Sequence, residues 1–354
     1  MTATMRAVVL DVPGRVRVQE VPRPTLESAT DAIVRVTTAA ICGSDLHLVD
    51  RKIPGMEKGD VVGHEFVGIV EDIGDAVTTV RPGQRVVASM FPACGHCRSC
   101  MRHQYRTCPS FQIFGGGPGF GDLLGAQTDY VRVPLADMTL VEIPEAMTDE
   151  DAVFTGDILA TAYQGLAEGG VRRGDSVAVV GAGPVGQLAV MCAPLFGVDQ
   201  VFAIDLVPER LEAAKALGAV PVDARIGDPS DAVFDQTGNL GADVVLEAVG
   251  NEAALETAWS VVRTGGTVAM IGVLYDEAWP VSAGDNWLRA VTVKPIVGDP
   301  LTHRHELLRL IETGKLDPAG IISHTMDLDD AAEAYQLFKE HRANKIVLKT
   351  GATP

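Results

Sequence analysis

The sequence runs to 354 residues with 47% apolar side chains, enough for two domains with buried cores. Its formal charge of −18 argues against nucleic acid or an anionic membrane surface as a partner, since both recruit basic patches. No apolar run approaches the ~20 residues of a membrane-spanning helix, and Met1 to Arg6 carries no apolar signal core, so the expectation is a cytoplasmic α/β protein with reduced thiols.

From Arg6 to about Val141 the pattern is short β-branched runs bounded by Pro, Gly or Asp: Ala7–Leu10, Val16–Val18, Ala32–Val36 and Phe66–Val70, with the turn at Arg81-Pro82-Gly83 feeding another strand. This predicts a β-rich domain, a small barrel. Between these strands lie Cys42-Gly43-Ser44-Asp45-Leu46-His47 and Gly63-His64-Glu65. A thiol, an imidazole and a carboxylate suit zinc, and three protein ligands leave a fourth position open for chemistry. Each residue also has an ordinary reading: Cys42 as a small core residue, His64 as a hydrogen-bonded loop histidine, Glu65 as a solvated acid.

Cys94, Cys97, Cys100 and Cys108 are packed into one short loop. Four thiolates so close in sequence wrap a tetrahedral zinc with no open position, a structural site. The glycine-rich stretch Phe111 to Leu124 reads either as a mobile flap or as a surface loop. Helical spacing begins near Asp149 and runs through Leu166.

The strongest local signal spans Ser176 to Asp205. A buried strand, Val177–Val180, meets the turn Gly181-Ala182-Gly183-Pro184-Val185-Gly186, followed by an apolar helix from Gln187 to Phe196 and a second strand, Val201–Ile204, ending in Asp205. Strand, G-x-G-x-x-G turn and helix in this order bind a dinucleotide. Gly181 permits the tight turn, Gly183 admits the pyrophosphate, Gly186 lets helix and strand pack, and the helix start faces the phosphates. Asp205 lies about 20 residues beyond the turn, where an acid accepts from the adenosine ribose and repels a 2′-phosphate, predicting NAD. Strands then alternate with helices (Asp243–Leu246, Thr267–Val273, Val291–Val297), as in a doubly wound parallel sheet. The tail is helical over His303–Thr313 and Asp329–Arg342 and ends in a strand, Lys345–Lys349, that returns to the first domain.

Taken in order, Gly63-His64-Glu65-Phe66-Val67-Gly68, the four-cysteine loop and the Gly181 turn resemble the zinc-dependent medium-chain alcohol dehydrogenase family over essentially the whole chain. The resemblance implies a chaperonin-10-like (GroES-like) β-barrel catalytic domain, residues 1–155 and 296–354, around a Rossmann domain, residues 156–295. It implies two zincs per subunit, NAD, and hydride transfer between small to medium alcohols and their aldehydes or ketones. Cys42 and His64 match the first two catalytic-zinc ligands. Asp157 stands where many members have cysteine, and Glu65 matches a residue beside the metal that in some members enters its shell.

By the same resemblance Asp45 holds the imidazole of His64, Ser44 takes the hydroxyl proton, and His47 hands it to solvent. Thr161, Arg210, Val249, Gly250, Gly272 and Val273 join Pro184 and Val185 around the cofactor, and Lys345 reaches the pyrophosphate. Met90 and Trp287, with Leu288, line the substrate pocket. A homodimer or homotetramer is implied, paired through the apolar edge Ala290–Val297. Alternatives within the class are a formaldehyde dehydrogenase or aldehyde dismutase and a polyol dehydrogenase. A non-catalytic zinc- and NAD-binding module would be favoured by loss of a ligand or of Ser44, and neither is lost.

Overall fold

The computed structural model describes residues 3–52, 55–274 and 282–352. Among these, fifteen strands form three sheets, and the chain divides into two compact units, Met1–Asp157 with Asp299–Pro354, and Ile158–Gly298.

The first unit opens with an antiparallel hairpin, β1 (Thr4–Val12) and β2 (Arg15–Pro22), turning at Gly14 with φ +82. Then come β3 (Ala32–Ala40), β4 (Glu65–Ile73), β5 (Arg85–Ala88), β6 (Tyr130–Val133) and β7 (Leu140–Glu142). β3 is the hub: it pairs antiparallel with β4 and β6, and its apolar residues are buried along almost its whole length. A short helix, Gly43–Val49, follows β3; sequence spacing alone leaves this segment as a connection between strands. Phe66 on β4 and Phe114 meet edge to face, centroids 5.2 Å apart, in the apolar cluster that backs β4.

The second unit is a parallel sheet of β8 (Ser176–Val180), β9 (Gln200–Asp205), β10 (Val220–Asp223), β11 (Ala242–Glu247), β12 (Val262–Met270) and β13 (Thr292–Pro295). Their spatial order, β10-β9-β8-β11-β12-β13, reverses direction between β8 and β11. In open α/β sheets ligands sit outside the carboxyl ends of the strands at such a switch point.

The returning segment adds β14 (Ile322–Asp327) and β15 (Lys345–Lys349). β15 lies between β14, to which it is parallel, and β3, to which it is antiparallel, completing the order β14-β15-β3-β4-β5-β7 with β6 on β3. The expected α/β architecture is thus present, with one informative departure. The helix expected without interruption from Asp149 to Leu166 breaks: Asp149–Ala152 runs into a 3-10 turn, Val153–Gly156, and a new helix starts at Ile158. The residue at the break is Asp157, with φ −155 and ψ −88. No described helix is long and apolar enough to cross a membrane.

Candidate active site

Cys42 closes the end of β3 as the N-cap of the helix Gly43–Val49. Asp45, at the third helical position, accepts the Cys42 backbone N–H at 3.0 Å, half of a capping box. Its other oxygen lies 3.1 Å from His64 Nδ1, so the residue that caps the helix also stands within ion-pair reach of the imidazole. His64 immediately precedes β4, after Gly63, whose φ of +95 suits glycine. The break at Asp157 points its carboxylate at the same place, Oδ2 standing 3.2 Å from His64 Nε2 and 3.5 Å from Cys42 Sγ. Glu65 completes the group: one donor atom from each of Cys42, His64, Glu65 and Asp157 lies within 4.8 Å of all the others, and all four residues are buried. The Ser44 hydroxyl is 3.3 Å from both Cys42 Sγ and His64 Nε2.

The electrostatics of this group ask for a cation. Burial pushes the Cys42 thiol up, and the carboxylates of Asp157 and Glu65 push it further. Burial also raises Glu65, to about 7, against the opposing pull of Lys345. His64 lies well above the ordinary imidazole value, because Asp45 and Asp157 outweigh its burial. Among the described residues Glu65 Oε1 is buried without a hydrogen-bond partner, and a divalent ion with a thiolate, an imidazole and a carboxylate as ligands would satisfy donors that the protein alone leaves competing for protons. The donor set fits zinc.

Lys345, expected at the pyrophosphate, is placed here against Glu65. It is 1% exposed, its ammonium 2.6 Å from Glu65 Oε2 and 2.9 Å from the Ile41 carbonyl. A buried ammonium holds its charge only beside such partners, so the lysine lies at the floor of the group formed by Cys42, His64, Glu65 and Asp157.

The four cysteines gather as a second group, with Cys97 and Cys100 sulfurs 3.5 Å apart and Cys94 and Cys100 3.9 Å apart. Against burial, the backbone N–H groups of His96 and Cys97 bring Cys94 down to about 6, as befits a metal-binding thiolate. Met90 lies in the apolar cluster beneath this loop, and its backbone bonds to Gly156 and Phe114. The stretch Phe111–Leu124 is anchored: Phe114 is fully buried, and at Gly115 a Cβ would stand 2.7 Å from the Gly63 nitrogen. This end of the segment packs directly beside Gly63, the neighbour of His64. His47 is half-buried, its imidazole lowered by burial and by the Lys52 charge.

In the second unit, Gly181 has φ +95, and a Cβ on Gly186 would stand 1.9 Å from the Gly181 carbonyl oxygen, so the turn admits only glycine there. Gly183 caps the helix Pro184–Cys192, with Val185 in its first turn. Asp205, at the end of β9, accepts the Ala182 N–H at 2.7 Å and those of Leu206 and Val207 at 2.7 and 2.8 Å, with Arg210 4.0 Å away. Val249, Gly250, Gly272 and Val273 come together beyond β11 and β12, where a Cβ on Gly250 would meet the Val273 oxygen at 2.4 Å. Thr161 lies against Gly298. Trp287 stands 81% exposed on the helix Ala283–Arg289, beside exposed Leu288.

Family models for an alcohol dehydrogenase GroES-like domain and a zinc-binding dehydrogenase match residues 28–145 and 184–313. The chain is 39% identical to a probable zinc-binding alcohol dehydrogenase of Mycobacterium tuberculosis, covering 94% of this chain and 84% of that one. It is 35% identical to an alcohol dehydrogenase of Cupriavidus necator over the full length of both. Among solved structures, the alcohol dehydrogenase TADH from Thermus sp. ATN1 superposes with a TM-score of 0.93 at 43% identity, over 98% of this chain and 99% of that one.

The chain belongs to the zinc-dependent medium-chain alcohol dehydrogenase family. As a member it is a zinc-dependent alcohol oxidoreductase acting on a small-molecule alcohol or carbonyl substrate, with zinc and a nicotinamide dinucleotide as cofactors. The formaldehyde dehydrogenase and polyol dehydrogenase alternatives are not favoured by these likenesses. Sequence reasoning missed two groups around these sites. Gln127 and Tyr335, far apart in sequence, adjoin Asp45. Glu247, fully buried at the end of β11, accepts the N–H groups of Val249 and Gly250 at 2.8 and 2.7 Å and so fixes the loop after it. An acid ending an apolar strand is a legible oddity in LEAVG; Gln127 and Tyr335 carry no such mark.

Proposed function

We propose that this dehydrogenase oxidises small to medium alcohols with NAD, holding its working zinc on Cys42, His64 and Asp157. The observation that carries this is the convergence of those three donors, with Glu65, around a point that the Ser44 hydroxyl also faces. Zinc bound there supplies a Lewis acid that acidifies a hydroxyl and stabilises the charge it develops. Asp45 keeps the His64 proton on Nδ1, so that Nε2 offers its lone pair. Lys345 holds the Glu65 carboxylate and offsets its charge. Ser44 would accept the substrate's hydroxyl proton as it gives up its own, and His47, on the same helix, would deliver that proton to water. Its lowered imidazole value keeps it neutral and able to accept at neutral pH.

The turn at Gly181, Gly183 and Gly186 would hold a dinucleotide, which would supply the acceptor for the carbon-bound hydrogen as hydride. Asp205 favours NAD over NADP through the repulsion of its carboxylate for a 2′-phosphate. The four-cysteine zinc is structural. We assign the metal chemistry to the first unit and the cofactor to the second, in a cytoplasmic homodimer or homotetramer.

The direct test is NADH formation from NAD with ethanol, propan-2-ol and a longer primary alcohol. A rate with any of the three is expected, and their order reports the shape of the pocket. No turnover of any of them, on protein holding two zincs per chain, overturns the substrate assignment.

A further inference from the structure

A line of buried polar side chains leads away from His64 and ends on the C-terminal helix. His64 Nδ1 meets Asp45 Oδ1 at 3.1 Å. Asp45 Oδ2 accepts from Gln127 Nε2 at 3.2 Å, and the same amide nitrogen donates to the Ala40 carbonyl at 3.3 Å. Gln127 Oε1 in turn accepts from the Tyr335 hydroxyl at 3.0 Å. Gln127 is fully buried, and Asp45, His64 and Tyr335 are 1%, 3% and 5% exposed. Tyr335 comes from the helix Ala331–Lys339, on the returning segment.

His64 and Asp45 stand at ion-pair distance, and the direction of each hydrogen bond beyond them follows from what each partner is able to do. A carboxylate and a backbone carbonyl only accept, so the amide of Gln127 must turn its NH₂ toward Asp45 and Ala40. Its oxygen then faces Tyr335, which is left with one role, donor. Burial and the nearby Asp45 charge raise the phenol well above its ordinary value, so the proton it donates is never lost in the working range. Asp45, supplied with N–H groups on Oδ2 by Cys42 and Gln127, keeps Oδ1 for the imidazole. Gln127 also packs on the backbone that carries His64: a Cβ on Gly63 would stand 2.4 Å from Gln127 Cγ.

We propose that Gln127 and Tyr335 are positioning residues for the metal-binding imidazole, Tyr335 orienting the Gln127 amide and Gln127 orienting the Asp45 carboxylate that holds His64. This rests on His64 being a zinc ligand. In effect the C-terminal helix sets the orientation of a ligand some 270 positions earlier in the chain.

The test compares wild type with Tyr335→Phe, Gln127→Met and the double variant. Zinc release to a chelator is followed in each, with the four-cysteine zinc as internal reference, and the visible spectrum is taken with cobalt(II) at the catalytic site. Removing such outer partners typically costs 10–100-fold in metal affinity. Gln127→Met is therefore expected to speed release from the catalytic site by about 10-fold or more, and Tyr335→Phe, one bond further out, by roughly 3-fold. The cobalt bands shift in both, release from the four-cysteine site stays unchanged, and the double variant matches Gln127→Met, because the line is already cut.

Wild-type release and spectrum in Tyr335→Phe overturn the proposal, as does equal acceleration at both zincs, which marks a general loosening. Tyr335→Phe keeps the ring and its packing, so it decides the matter even if Gln127→Met does not fold. A wild-type chain that binds only the four-cysteine zinc would instead sink the assignment of His64 as a ligand.

Discussion

Asp157 reaches the metal group because the backbone leaves helical values at that one residue, between the 3-10 turn Val153–Gly156 and the helix beginning at Ile158. A continuous helix would carry the carboxylate past His64. On the proposed ligand set, a hard oxygen donor in place of a thiolate would give the metal less electron density and leave it a stronger Lewis acid. Replacing Asp157 by Ala is expected to reduce zinc from two per chain toward one, with the four-cysteine zinc retained; elemental analysis that still finds two would remove Asp157 from the ligand set. Asp205 is held by three backbone N–H groups at the end of β9, a fixed negative charge beside the turn. Asp205→Ala is expected to narrow the preference for NAD over NADP by at least ~10-fold in kcat/KM, about the effect of one lost charge-assisted contact. An unchanged ratio would take the residue away from the ribose.

Among the elements, the parallel sheet is tied at its amino-terminal edge by Asp243 at the start of β11. Its carboxylate accepts the Ser176 N–H and hydroxyl, both at 2.8 Å, and Arg263 Nε at 2.6 Å, joining β8, β11 and β12. Burial alone would raise this acid, but Ser176 and Arg263 outweigh it and hold it below the ordinary value. A depressed folded value contributes stability that is present above the unfolded value, about 3.9, and is lost as pH falls through the folded one. Asp243→Asn should therefore cost about 1–3 kcal/mol at pH 7. The urea midpoints of variant and wild type should converge below about pH 4; a gap that persists unchanged in acid would contradict the assignment.

At the scale of the molecule, the returning segment makes the first unit from both ends of the chain, since β15 fills the place between β14 and β3. Arg6 on β1 binds Asp129 at 2.8 Å and Asp329 at 2.9 Å, a further clasp between distant stretches. In the second unit β13 pairs only with β12 among the described residues, leaving an edge that a second copy would cover. Each chain is 37.4 kDa with a charge of −18, so association through that edge would have to overcome mutual repulsion, with backbone contacts along β13 as the proposed means. Light scattering is expected to report two or four times the chain mass, and a single-chain mass would exclude pairing through β13.

What the sequence determined by itself is what is local in it. The four-cysteine loop and the turn at Gly181 are legible because their ligands and glycines lie within a few residues of one another, where chain geometry alone brings them together. β15 is legible for the same reason, as a short apolar run. Packing decided the rest. That Lys345 faces Glu65, that the helix breaks at Asp157, and that Gln127 and Tyr335 stand behind Asp45 depend on packing between segments far apart in the chain. A buried polar side chain must find its partner wherever the fold puts one, and that partner leaves no periodicity or spacing in the sequence to read.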